Sequence, residues 1–142
     1  MGYNRRKNTM KTKIIMATLA TLCLMAFNAC NSSEMIIQKE VAGTKLQCPM
    51  EMGSGLKLVD IEYTGLYVTY YFKGDDSMYS FSKDLVTEAM KEQLVKELWS
   101  KAASDANVAK FMNALKEKHV GIIYHYFTDS SVMDVIIEPS KL

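Results

Sequence analysis

Leu66-Tyr67-Val68-Thr69-Tyr70-Tyr71-Phe72-Lys73 is the stretch on which the fold turns. It is rich in aromatic and β-branched side chains, which suit a pleated, half-buried surface. The two-residue period of a strand puts Leu66, Val68, Tyr70 and Phe72 on one face and Tyr67, Thr69 and Tyr71 on the other. Just upstream, Thr64-Gly65 is a tight-turn signal. Before the turn, Leu56 to Tyr63 alternates Lys57, Asp60 and Glu62 with Leu58, Val59, Ile61 and Tyr63. The two runs predict an antiparallel hairpin, closed at its far end by Lys73-Gly74-Asp75-Asp76. Further upstream, Thr44 to Met50 predicts a short edge strand, because Pro49 cannot donate a ladder hydrogen bond.

Downstream, the period changes to that of a helix. From Ser82 to about Lys101, Leu85, Val86, Ala89, Met90, Leu94, Leu98 and Trp99 recur on one stripe. Ser82 suits the N-cap and Asp84 the first turn. Lys91, Glu92, Lys96 and Glu97 form the solvated face, with Glu92 and Lys96 spaced for an ion pair. Ser104-Asp105 caps a second helix to about Lys118, with Val108, Phe111, Met112 and Leu115 as its stripe. Lys116, Lys118 and His119 at its end suit the helix dipole. Strand character then returns in Val120 to Thr128 and in Met133 to Glu138, separated by Asp129-Ser130-Ser131 and ended by Pro139.

The order β-β-α-α-β-β predicts an α+β domain: a small antiparallel sheet of two hairpins with two helices packed on one face. Leu46-Gln47-Cys48-Pro49-Met50, Tyr70-Tyr71-Phe72, Val120-Gly121-Ile122-Ile123-Tyr124-His125-Tyr126 and Ile137-Glu138-Pro139 resemble a group of small exported bacterial domains. That resemblance implies export and the same α+β order. It implies no activity and no catalytic residues.

The N-terminal segment sets the expected location. Lys11 and Lys13 precede Ile14 to Phe27, an uncharged stretch shorter than the roughly 20 apolar residues of a membrane span. Phe27-Asn28-Ala29-Cys30 follows and resembles the box at which bacterial lipoprotein leaders are cut by signal peptidase II. Phe27 and Asn28 are relaxed variants of that box, which prefers Leu and then a small residue. The expected organisation is a signal peptide over 1–29, with Met10 the cleaner start, a lipidated tether over 30–43 and one domain over 44–142. Lipid of the palmitate kind on Cys30 would anchor the chain to a membrane of the bacterial envelope, the outer membrane being expected. The domain would then face the periplasm or the exterior. The alternative is an ordinary leader with Cys30 unmodified.

The full chain carries 17 basic and 16 acidic residues. All the acidic residues follow Cys30, whereas Arg5, Arg6, Lys7, Lys11 and Lys13 precede it. Twelve basic against sixteen acidic residues leave the part after Cys30 at −4. A mildly acidic domain without an Arg or Lys cluster argues against nucleic acid as a partner.

Chemistry-bearing patterns are sparse. His119 and His125 lie too far apart across an element boundary for a helical zinc pair, so no metal is expected. Gly53-Ser54-Gly55 opens no helix and reads as a loop, and Asp75-Asp76 reads as a solvated turn rather than a calcium loop. Cys48 sits among apolar neighbours with no CxxC partner and reads as a small buried hydrophobe. No catalytic residue and no cofactor is expected. The sequence therefore favours a non-enzymatic binding or accessory module. Its face would be Tyr67, Thr69 and Tyr71 with His125 nearby, and its partner an envelope protein or glycan. Cross-strand tyrosine pairs that only stabilise an exposed sheet are the bland alternative. Two other roles remain open: an envelope component that self-associates through a sheet edge or the open face, and a small thiol- or His-dependent enzyme built on Cys48 or His125.

Overall fold

The computed structural model of the chain describes residues 32–142. Cys30 and the stretch expected to be a leader lie outside the described residues. Helix α1 spans Ser33–Gln47, followed by strands β1 (Met50–Glu51), β2 (Leu56–Tyr63) and β3 (Tyr67–Gly74). A single 3-10 turn, Lys83–Leu85, leads to α2 (Glu88–Ser104) and α3 (Ala106–Lys118). Strands β4 (Gly121–Phe127) and β5 (Val132–Ile137) complete one five-stranded sheet in the order β1-β2-β3-β4-β5.

The α+β class and the hairpin–helices–hairpin order are as the sequence predicts. The sheet, however, is mixed rather than wholly antiparallel. β2–β3 and β4–β5 are the two predicted antiparallel hairpins, the short β1 adds to β2 antiparallel as well, and the hairpins join through a parallel β3–β4 pair with Tyr67 opposite Gly121 and Tyr71 opposite His125. The reason lies in the connection. A long helical crossover returns the chain to the end of the sheet at which β3 began, and such crossovers link parallel strands.

Three helices cover the sheet, not two. The stretch expected to be a tether up to residue 43 and a strand from Thr44 is instead the single helix α1. Ser32 caps it by accepting from the Met35 amide, and Ile36 and Ile37 are buried in the core. Helix α1 packs on α3 and β2. Only Met50–Glu51 remains of the expected edge strand, directly after Pro49. The first predicted helix also divides: Ser82 caps the 3-10 turn, and Thr87 caps α2 by accepting from the Met90 amide. Asp105 caps α3 through the amides of Asn107 and Val108, and His119, with φ of 54°, closes it in the left-handed conformation.

The core lies between helices and sheet. Leu56, Leu58 and Ile61 of β2 meet Val68, Tyr70 and Phe72 of β3 and Ile122, Tyr124 and Tyr126 of β4 on the covered side. Phe72 and Tyr126 stack with ring centroids 4.9 Å apart, and Tyr70 stacks on Tyr124 at 5.5 Å. Offset aromatic pairs of this kind add to the stabilisation from burial itself. A register shift between Leu58 and Asp60 inserts Val59 as a bulge. It lets Leu58 and Ile61, three residues apart, both face the core.

Candidate binding face

The helices pack on one face of the sheet and leave the other more exposed, except at its β5 border, where Ile136 and Glu138 line a groove with α2. Across this more exposed face run Glu62 of β2, Tyr67, Thr69 and Tyr71 of β3, Ile123, His125 and Phe127 of β4, and Val132, Asp134 and Ile136 of β5. Strand alternation puts these residues together, because their neighbours in sequence are the buried set.

The four residues singled out from the sequence share this face. Tyr71 lies directly across from His125, with their rings edge-to-face at 5.3 Å. His125 also meets the Phe127 ring at 5.5 Å, so aromatic surface continues along β4. Tyr67 and Tyr71 are half-buried, as is His125. Thr69 is on the same face but covered, at 8% exposure, so it supports the tyrosines rather than presenting itself.

Tyr67, Tyr71 and His125 each meet a carboxylate. Tyr71 donates to Glu62 Oε2 at 2.9 Å, a diagonal cross-strand contact. That bond first, and burial second, raises the Tyr71 phenol above its ordinary value. Tyr67 donates to Glu138 Oε2 at 3.4 Å. His125 Nδ1 lies 2.6 Å from Asp134 Oδ1, directly opposite on β5.

Gly121 sets the position of Tyr67. A Cβ on Gly121 would fall 2.6 Å from the Tyr67 ring and 2.6 Å from the Ile137 carbonyl oxygen. The tyrosine ring therefore lies across the bare backbone of β4. Glu62, Asp134, Glu138, Phe127 and Gly121 are the parts of this face that sequence reasoning missed. Strand alternation from His125 pointed to Phe127. Glu62 depends on a register that the Val59 bulge shifts, and Asp134 and Glu138 on the pairing of β5 with β4.

The sheet edges are blunted. Lys45 of α1 reaches the outer side of β2, bonding Asp60 Oδ1 at 2.8 Å and the Ile61 carbonyl at 3.3 Å. The Lys45 ammonium holds the Asp60 carboxyl below its ordinary value. At the other edge the Lys83–Leu85 turn packs beside β5. Covered or charged edges resist strand addition between copies.

The other residues considered from the sequence sit in the following contacts. The Cys48 thiol is half-buried, donates to the Thr44 carbonyl at 3.3 Å, and is pushed up by burial, which favours the unreactive thiol. Asp75 accepts from the Ser77 amide and Asp76 from Ser130 Oγ, as turn carboxylates do. His125 is surrounded by Tyr71, Phe127 and Asp134, rings and a carboxylate rather than a nucleophile. Among the described residues no group of three His, Cys, Asp or Glu is placed to hold a metal ion, and no helix is long and apolar enough to cross a membrane. A groove of about 420 Å³ runs between α2 and β5, lined by Glu92, Val95, Lys96, Ile136 and Lys141 among others.

No family model matches the chain, and no curated protein is significantly similar to it. Among solved structures, the pilotin from the Vibrio vulnificus type 2 secretion system, EpsS, aligns with it at a TM-score of 0.47 and 14% identity, over 77% of this chain and 89% of that one.

Proposed function

We propose that this protein is a non-enzymatic recognition module, held at a bacterial envelope membrane by lipid on Cys30, which engages an envelope partner through its open sheet face. One observation carries the reading: an uncovered face on which Tyr67, Tyr71 and His125 are each fixed by a carboxylate, beside the apolar rings and branches of Phe127, Ile123 and Ile136. Rigid aromatic side chains with polar tips, already held in one geometry, lose little entropy when a partner covers them.

The test is capture from native envelope extract by the wild-type protein and by Tyr67→Ala/Tyr71→Ala. The expected outcome is a partner retained by the wild type and lost by the double variant, with both melting alike. Equal capture by the two, or loss explained by unfolding, sinks the face as the site. Cys30→Ser tests the anchor separately: it should move the protein from the membrane fraction to the soluble envelope fraction.

A further inference from the structure

Helix α1 changes what a lipid on Cys30 would do. Ser33 begins α1, and α1 is locked into the fold at its first turn: Ser33 donates to Glu117 Oε2 at 2.6 Å, and Tyr63 donates to Glu34 Oε2 at 2.7 Å. Three peptide steps separate Cys30 from Ser33, a reach of at most about 11 Å. An acylated Cys30 would therefore sit on a short leash attached to one defined pole.

That pole can be read off the register. Tyr63 ends β2 opposite Val68, Tyr67 and Gly121 begin β3 and β4 side by side, and Ile137 ends β5 opposite Ile122. The C-terminal end of α3, at Glu117, meets the first turn of α1 in the same place. Two large apolar side chains are exposed there, Met35 at 46% and Leu66, in the β2–β3 turn, at 69%. Leu66 is tied to the pole by its carbonyl, which accepts from the Gly121 amide. Lys118 and His119, both exposed, close α3 beside them. At the opposite pole Leu56 faces Gly74 and Phe127 faces Val132, itself 55% exposed, so it is the position of the anchor, together with apolar exposure, that singles out the first pole.

We infer that the pole formed by Met35, Leu66 and the end of α3 rests on the lipid surface. This rests on the anchoring reading above. Membrane attachment by acyl chains is strengthened by a second contact, and exposed apolar side chains beside the anchor supply one. The strands then rise away from the membrane, with roughly 25 Å along β3 at about 3.3 Å per residue. The open face stands upright beside them, its Tyr67 and Glu138 nearest the lipid, free along its length for a partner approaching from the side.

The experiment uses the full chain, acylated in a bacterial host and reconstituted into phosphatidylethanolamine–phosphatidylglycerol vesicles carrying brominated acyl chains. In a Cys48→Ser background, a bimane probe is placed at Leu66→Cys, at Met35→Cys, or at Ser77→Cys in the far loop. The mass of the N-terminal peptide reports the acyl group. The expected result is loss of emission at 66 and 35 and none at 77. Acylated protein with no quenching at 66 and 35, or with equal quenching at all three, overturns the orientation while leaving the anchor intact. An N-terminal peptide without acyl mass overturns the anchoring reading itself, and the orientation with it.

Discussion

Tyr70, Phe72, Tyr124 and Tyr126 alternate along β3 and β4 with Tyr67, Tyr71, His125 and Phe127. The first set lies under the helices, none more than 2% exposed, ring stacked on ring. The second set is half-exposed; Tyr67, Tyr71 and His125 meet carboxylates from β2, β5 and the residue after β5, and Phe127 meets the His125 ring. Residue type barely separates the two faces. What separates them is the company each keeps across the strands: Leu58, Ile61, Met133 and Val135 on one side, Glu62 and Asp134 on the other. Charge is tolerated only where water or a partner can solvate it, so the carboxylates mark the side that stays wet.

The largest effect that can break this contrast is on the covered side. Phe72→Ala removes a fully buried ring stacked on Tyr126 and should cost about 3–5 kcal/mol in urea unfolding. A cost below about 1 kcal/mol would mean the covered face is not the core that its burial implies.

Next comes the one carboxylate on the wrong side of the divide. Glu40 of α1 is fully buried; Thr44 donates to its Oε1 at 3.4 Å, and its Oε2 has no partner among the described residues. Burial raises it from 4.5 to about 7, against the weaker opposing pull of the Thr44 bond. Below pH 4.5 the group is protonated folded or unfolded and costs nothing. Between 4.5 and 7 the folded protein keeps a proton that the unfolded chain releases, so stability falls as pH rises. Above 7 the full penalty stands, about 3 kcal/mol from the size of the shift. Glu40→Gln should therefore gain on the wild type through that window, and more at pH 8 than at pH 5. Thermal melts of both proteins that run parallel across this range would remove Glu40 as the cause.

These two cases also show where the sequence stops being legible. The face assignment of β3 follows from an unbroken two-residue period, and Phe72 falls out of it directly. Helix α1 does not, because its inward side carries Glu40, Gly43 and Thr44 beside Ile36 and Ile37, so no apolar stripe marks it. The parallel β3–β4 junction was hidden for another reason. Strand patterns fix which side chains face together, not the end of the sheet at which a helical crossover delivers the next strand. Glu62 was hidden by the Val59 bulge, which resets every partner of β2 beyond it, and Asp134 and Glu138 by the pairing of β5 with β4, which the pattern of β3 does not give. Tyr71 was legible and Glu62, which holds it, was not.

A smaller effect sharpens the same contrast from within the tyrosines. The Tyr126 hydroxyl is buried without a hydrogen-bond partner among the described residues. Removing it costs no bond and relieves a desolvated polar group, so Tyr126→Phe should be neutral or gain about 1 kcal/mol. Tyr71→Phe, which loses a real bond to Glu62, should not gain. Denaturant midpoints of the two variants moving in the same direction would erase the distinction.

The smallest effect is on the open face itself. His125 and Asp134 form a short contact, yet their side chains remain 27% and 47% exposed. A solvated pair gives back on folding most of what it gains, because water served both groups before they met. A double-mutant cycle of His125→Ala and Asp134→Ala should therefore find a coupling below about 1 kcal/mol, and neither single variant should unfold the domain. A coupling of several kcal/mol would mean that the pair holds the sheet together and that its placement needs no partner to explain it. A weak coupling is what a solvated pair gives with or without a partner, so it removes the pair as a structural clamp and leaves the Tyr67→Ala/Tyr71→Ala capture to decide whether the face is a recognition surface.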